Sequence, residues 1–240
     1  MPPMRFSASS ADRLMSCPGS ANLEEAIPGF VPPEKNENGR KGQGKIIHDL
    51  MAQIGELPIR DVEKMLEAIQ FLATLRRKRR FKLLIEEKME AVWLASKPST
   101  TPDLVAYVQD EIHIVDWKTG GIEVEASENV QMMFYARTVC HLAPKAKGVW
   151  LHIVQPWAAS GVSSWFCDTN RLAQFTADAI ATDQKITAHD LTLVPSDACT
   201  FCPANPHSRG DKGSKMCPKM MQLLYPLDPL ATDEDEILSL

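Results

Sequence analysis

The sequence lacks any apolar run that approaches the roughly 20 residues needed to cross a bilayer. Its first residues, MPPMRFSASSADR, lack the basic-then-apolar layout of a secretory leader. It also lacks a helix-turn-helix signal and any array of finger spacings, so nothing predicts that it reads a base sequence. We therefore expect a cytoplasmic protein with no membrane partner.

Positive charge is missing from the end of the chain. From residue 220 onward there are five acidic residues and no lysine or arginine. The whole chain has 31 acidic residues, 26 lysines and arginines and a formal net charge of −5, so without these five the two signs balance at 26 each. We interpret 226–240 as a solvated acidic tail. The basic run RRKRRFK at 76–82 is then free to contact phosphates, or it is the solvated end of a helix.

The rest of the chain predicts one α/β domain over residues 1–225, with a core of about 40–190. Helices are predicted from Ser7, Ser9 or Ser10 to near Cys17, and at 45–55, 60–80, 127–141 and 170–188. Strands are predicted at 82–95, 103–109, 111–117, 147–156 and 163–168. This order indicates a mixed central sheet flanked by helices.

Three charged residues stand in the predicted hairpin 103–118: Asp103, Asp116 and Lys118. Residues two apart on a strand share a face, and hairpin pairing can bring the two aspartates together. Paired carboxylates repel unless a cation lies between them, and their oxygens suit Mg²⁺ or Mn²⁺. With a lysine beside them they fit phosphodiester hydrolysis. For so short a motif, an exposed hairpin with an ordinary ion pair is the alternative.

Other polar residues occur at spacings that suit the same site. His48 follows Gly44 by four residues on a predicted helix, and its imidazole can face a metal. Glu87 precedes the hairpin on a neighbouring strand. Gln131 and Tyr135 lie at i and i+4, on one face of a helix. Taken singly, each is also explained as an ordinary surface or core residue.

In this order the residues resemble the PD-(D/E)xK nuclease superfamily, and most closely its RecB-like branch of phage recombination and CRISPR-associated exonucleases. The likeness runs from SASSADRLMSCP to CTFCP. It implies a restriction-endonuclease-like fold. It also implies a metal-dependent DNA exonuclease that acts in recombination, repair or phage DNA processing, in the cytoplasm of a bacterial or phage-infected host cell.

The resemblance also assigns roles to residues. Gly44 to His48 matches a Gly-x-x-x-His element, TTPD matches the element that ends in the first aspartate, with Thr100 in place of the usual glycine, and Asp116 to Lys118 matches Asp-x-Lys. The resemblance implies that Mg²⁺ or Mn²⁺ is held by His48, Asp103, Asp116 and the carbonyl of Trp117. It implies that Lys118 positions and helps deprotonate a water. Glu87 (or Glu86), Gln131 and Tyr135 complete the catalytic set.

Four of the six cysteines are in loops that suit metal binding. Cys199 and Cys202 form a Cys-x-x-Cys element, and Cys17 and Cys217 each precede a proline. Thiolates in such loops can chelate a soft metal centre. We expect the other two, Cys140 and Cys167, to be core residues on a helix and a strand.

Iron–sulfur members of the RecB-like branch have one cysteine before the nuclease core and three after it. The resemblance therefore implies a [4Fe–4S] cluster held by Cys17, Cys199, Cys202 and Cys217, which joins the N- and C-terminal segments. The long gap from Cys202 to Cys217 leaves Zn²⁺, with His207 as a further ligand, as the alternative. The third interpretation is that these cysteines are free thiols in a loop and bind no metal.

The expected partner is DNA, bound through its backbone with little sequence specificity, together with a possible recombination or repair protein. Trp93, Trp117 and Tyr135 are candidates for stacking on bases. Two alternatives to an exonuclease stay open. One is a site-specific or structure-specific endonuclease of the same superfamily, and the other is a non-catalytic DNA-binding module with a cysteine-bound metal.

Overall fold

A computed structural model describes residues 6–26, 70, 73–74, 81–108, 110–118, 122–156, 158–202, 204–205 and 217–219. The strands are β1 (Phe81–Ile85), β2 (Met89–Glu90), β3 (Ser99–Thr100), β4 (Leu104–Val108), β5 (Glu111–Trp117), β6 (Gly148–Gln155) and β7 (Gly161–Asp168). The helices are α1 (Ala8–Ser16), α2 (Gly19–Ala26), α3 (Val130–Val139) and α4 (Thr169–Thr187), with 3₁₀ turns at Cys140–Leu142 and Asp197–Phe201.

The main sheet has the order β1-β4-β5-β6-β7, and β2 pairs with β3 separately. Only β5 and β6 run parallel in this sheet; its other described pairs are antiparallel. A parallel pair needs a crossover, which α3 supplies. After Glu111 every residue of β5 is buried, and nearly all of β6 is, as expected for central strands covered on both faces.

Helices α1, α3 and α4 pack together over one face of the sheet. The ring of Phe6, just before α1, meets the ring of Phe134 on α3 edge-on, with 5.7 Å between centroids. Phe134 and Phe175 on α4 both flank the indole of Trp93. These buried rings fix α3, and therefore any side chain that α3 directs at the sheet, relative to β5.

The predicted fold class, a mixed central sheet flanked by helices, is confirmed. The single strand predicted at 82–95 is instead two short strands, β1 and β2, and α2 was not predicted. The helix predicted at 127–141 is α3 followed by a 3₁₀ turn. The helix predicted at 45–55 lies outside the described residues, as does nearly all of the one at 60–80.

Candidate active site and cysteine pocket

Asp103 and Asp116 meet at one end of the β4–β5 hairpin. Leu104 pairs with Val115, so the next position outward places the two aspartates opposite each other. The Asp103 carboxylate is anchored by the backbone N–H of Trp117, which donates to Oδ2 over 2.7 Å. Asp116 is 3% exposed, so its charge is held inside the protein.

Lys118 and Gln131 complete a hydrogen-bonded cluster around Asp116. The Lys118 ammonium lies 2.9 Å from Asp116 Oδ2 and donates to Gln131 Oε1 over 2.9 Å. Gln131 Nε2 donates to Asp116 Oδ1 over 3.1 Å and to the Tyr135 hydroxyl over 2.9 Å. One amide therefore holds a carboxylate, an ammonium and a phenol, because α3 places Gln131 and Tyr135 one turn apart.

Tyr135 remains a neutral phenol in this setting. Burial raises the pKa of Tyr135 well above its ordinary value, the negative charge of Asp116 raises it further, and the hydrogen bond from Gln131 opposes the shift. The phenol therefore serves as a hydrogen-bonding support for Gln131 rather than as a base near neutral pH.

The carboxylates retain capacity for a cation. Asp116 Oδ2 is buried and accepts no hydrogen bond in the described structure, although the Lys118 ammonium lies close enough for an ion pair. Such an oxygen suits a hard divalent cation. Among the described residues, no three His, Cys, Asp or Glu side chains are grouped to hold a metal ion. His48, the further ligand implied by the resemblance, lies outside the described residues.

Glu86 and Glu87 follow β1 and are exposed. The backbone N–H of Glu86 donates to the carbonyl of Asp103 over 3.0 Å. Burial raises the pKa of Tyr107 to about 12, and the negative charge of Glu87 contributes to the same shift. The described contacts therefore bring Asp103, Asp116, Lys118, Gln131 and Tyr135 together, and the catalytic role of Glu87 stays a prediction.

Sequence reasoning missed Gln155, which fixes the loop between Lys118 and α3. Gln155 is 1% exposed at the end of β6. Its Nε2 donates to the carbonyl of Ile122 over 2.6 Å, and its Oε1 accepts from the N–H of Val124 over 3.0 Å. The only sequence signal was a polar residue closing an apolar strand. Gln155 thus fixes Ile122 and Val124, which precede α3.

The four loop cysteines line one pocket. Cys17, directly after α1, lies there with Cys199, Cys202 and Cys217 around a cavity of about 20 Å³. The N-terminal segment reaches this place because the N–H of Gly19 donates to the carbonyl of Thr192 over 3.3 Å. Residues near both ends of the described chain therefore meet at the thiols.

The pocket also supplies donors to sulfur. The N–H of Val194 donates to Cys17 Sγ over 3.3 Å, and the N–H of Ser196 donates to Cys199 Sγ over 3.4 Å. The four thiols are not grouped as ligands of one ion, since no such group occurs among the described residues.

The structure also bears on the predicted base-stacking residues, on the two cysteines outside the loops and on the basic run. Trp117 and Tyr135 are 6% and 5% exposed, and Trp93 packs among core rings, so these side chains do not offer faces for base stacking. Cys167 is buried, as expected, whereas Cys140 is half-buried. The basic run at 76–82 lies outside the described residues except for its last two.

The fold and site define an α/β protein in which the central hairpin carries a carboxylate–lysine cluster. The chain belongs to the family described as Protein of unknown function (DUF2800), whose model matches residues 60–237. It is similar to a structure named "putative exonuclease" from Eubacterium rectale, with a TM-score of 0.47 and 14% identity, over 92% of this chain and 94% of that one. It is also similar to SSO0001, with a TM-score of 0.39 and 9% identity, over 82% of each chain.

Within the described residues, no helix combines the length and apolar character that a bilayer span requires.

Proposed function

We propose that this protein is a Mg²⁺- or Mn²⁺-dependent deoxyribonuclease that hydrolyses phosphodiester bonds from DNA ends. The observation that carries the proposal is the cluster of Asp103, Asp116 and Lys118, tied together by Gln131. An isolated ion pair on a hairpin would be exposed and weakly held, whereas this aspartate is buried and its partners are fixed. A set of groups in fixed roles is the mark of a catalytic site.

Each residue has a task that follows from its contacts. Asp103 and Asp116 are the carboxylates that would hold the divalent cation, with His48 as the third side chain implied by the resemblance. A bound cation supplies an acidified water and offsets charge on the phosphate. Lys118 presents an ammonium beside Asp116, where it can orient the attacking water and attract a phosphate oxygen. Gln131 keeps that ammonium in place.

The substrate follows from what the site recognises. A cluster of acids and one lysine would bind the phosphate groups of the backbone, which are common to all DNA sequences. The protein would therefore contact the DNA backbone with little sequence specificity, alone or with a recombination or repair partner. The setting would be recombination, repair or phage DNA processing in the cytoplasm of a bacterial or phage-infected host cell.

We also propose that Cys17, Cys199, Cys202 and Cys217 hold a [4Fe–4S] cluster. The support is that four cysteines from both ends of the described chain line one pocket. Two of the sulfurs, those of Cys17 and Cys199, accept backbone N–H donors from Val194 and Ser196. Zn²⁺ is the alternative centre.

The activity is tested by digesting end-labelled linear DNA and circular DNA with Mg²⁺, with Mn²⁺ and with EDTA. We expect the linear DNA to be degraded from its ends only when a divalent cation is present, and the circle to stay intact. Cutting of the circle at fixed positions would replace the exonuclease by an endonuclease. Binding without cleavage would leave a DNA-binding module.

The site assignment is tested with Asp116→Asn and Lys118→Ala. Each removes a charge from the cluster and should lower the cleavage rate by at least about 100-fold, the scale of a catalytic group. Asp178→Asn is the matched control, because Asp178 is exposed on α4 and remote from the cluster. Full cleavage by a folded Asp116 or Lys118 variant would remove the assignment.

A further inference from the structure

A second cavity opens at the start of β5 and β6, away from the end that carries the catalytic cluster. Its volume is about 270 Å³, close to the lower end of the usual range for small-molecule sites. Most of its lining is aliphatic and comes from the sheet, the segment after the first 3₁₀ turn and α4: Ile112, Ala143, Pro144, Ala146, Val149 and Leu172. Ile112 precedes Asp116 by four residues on β5, which corresponds to about 13 Å along the strand. The cavity is therefore separate from the proposed catalytic site.

One cation lines this cavity. The Arg137 guanidinium lies over the ring of Trp93, with 5.7 Å to its centroid, and Nη1 donates to Cys140 Sγ over 3.1 Å. These contacts hold the side chain in place but supply no full negative charge. Within the described part of the chain, no carboxylate forms an ion pair with Arg137. By contrast, Arg171 on α4 donates through Nε to Glu128 over 2.7 Å.

The acids near the cavity are engaged elsewhere. Glu111 lies 3.5 Å from a ring nitrogen of His113, and the Asp168 carboxylate caps α4 by accepting from the N–H of Arg171. Lys145 and Lys147 are exposed and alternate in sequence with the lining residues Pro144 and Ala146. Arg137 is therefore the one charged residue among those that line the cavity in the described structure, and most of the walls are apolar.

We propose that this cavity binds a small organic carboxylate with an aliphatic body. A guanidinium presents parallel N–H donors that match a carboxylate, and the pairing strengthens where water is excluded. The lining residues include no aromatic ring on which a nucleobase could stack, and beyond Arg137 the side chains that can hydrogen-bond are Thr169, Thr176 and Cys140. A flexible aliphatic chain needs only the apolar walls.

The test titrates the full chain with octanoate by calorimetry and by saturation-transfer NMR. We expect binding with a Kd on the order of 1 mM or tighter, which is reasonable for so small a ligand. Deoxyadenosine monophosphate is titrated as the comparison ligand. It should bind at least about tenfold more weakly than octanoate, a difference of about 1.4 kcal/mol in binding free energy. Absence of octanoate binding, or tighter nucleotide binding that Arg137→Met abolishes, would overturn the proposal.

Two variants locate the site. Arg137→Met keeps a long apolar side chain over Trp93 and should weaken octanoate binding at least about tenfold, as expected for one charge-assisted hydrogen bond. Ala173→Phe adds bulk at an exposed position of α4 on the cavity wall and should also weaken binding. Lys185→Met removes one charge from the last turn of the same helix and should change nothing. Unchanged binding in a folded Arg137→Met protein would overturn the assignment.

Discussion

Gln131 makes three hydrogen bonds with one side chain, and each of its partners depends on the others. Without its amide, the Lys118 ammonium would keep only its ion pair with Asp116, and Asp116 Oδ1 would lose its donor. A buried carboxylate that loses a donor is destabilised, and an untethered lysine samples other rotamers. In the proposed site, these contacts suit Gln131 to positioning Lys118 and Asp116.

Replacing Gln131 by Met tests this role. We expect kcat to fall about tenfold or more with little change in KM, and the free energy of unfolding to fall by roughly 1–2 kcal/mol. Steady-state cleavage and urea denaturation measure the two effects. Gln184→Met, at an exposed position of α4, is the control. A loss of stability with unchanged kcat would show that Gln131 is merely structural.

The residue scale also shows what the sequence could predict. The shared face of Asp116 and Lys118 follows from the two-residue period of a strand, and the pairing of Gln131 with Tyr135 follows from the helical turn. Gln155 was not predictable, because its partners are backbone atoms of a loop more than 30 residues earlier in the chain. Nothing in a local pattern marks a side chain that binds distant backbone.

Cys167 gives a prediction for alkaline pH. Burial raises the pKa of this thiol from its ordinary 9.0 to about 11. The unfolded chain thus ionises near pH 9 while the folded protein stays protonated. The contribution of Cys167 to stability is therefore constant below pH 9 and falls, by at most about 1.4 kcal/mol per pH unit, between pH 9 and 11.

Urea denaturation of the native protein and of Cys167→Ala at pH 8, 9, 10 and 11 measures this effect. The variant starts less stable, because it loses buried volume, but it should lose less of its stability on going from pH 9 to 11. Parallel pH profiles for the two proteins would contradict the prediction.

At the scale of elements, α3 matters most, because it carries Gln131 and Tyr135. Asn129 is its N-cap, and the side-chain oxygen accepts from the N–H of Met132 over 3.1 Å. Asn129→Ala should lower the free energy of unfolding by about 1 kcal/mol, the usual contribution of such a cap. Thermal or urea denaturation measures the loss, and Asn129→Ser, which can also cap, should recover most of it. Equal losses in the two variants would argue against capping.

Element boundaries were less predictable than element types. Within the strand predicted at 82–95, β1 ends at Ile85 because Glu86 adopts a positive φ of 47°. No glycine or proline marks this break in the sequence. Helix α2 begins at Gly19, directly after Cys17-Pro18, which we interpreted as the end of α1 only. Proline also suits the first turn of a helix, so the same residues end one helix and begin the next.

At the scale of the whole molecule, the cysteine pocket joins distant parts of the chain. The sequence indicated four suitable cysteines by their prolines and spacing, but their meeting depends on α1 and α4 packing against α3 and against each other. α1 contacts α3, and Gln131 on α3 holds Lys118, so the cysteine pocket and the cluster around Asp116 share one framework. A centre bound by the cysteines would close a loop over most of the chain and would stabilise that framework.

The centre itself is the final prediction. Anaerobically purified protein should contain iron and sulfide and absorb near ~400 nm, because iron–thiolate clusters are coloured. Cys17→Ser should lose the iron and lower the free energy of unfolding by on the order of several kcal/mol, since metal binding is coupled to folding. Cys140→Ser changes a cysteine that does not line the cysteine pocket, so this variant should keep its iron and its stability. Colourless protein with one Zn²⁺ per chain would identify zinc instead, and equal metal content in all three proteins would show that Cys17 is not a ligand.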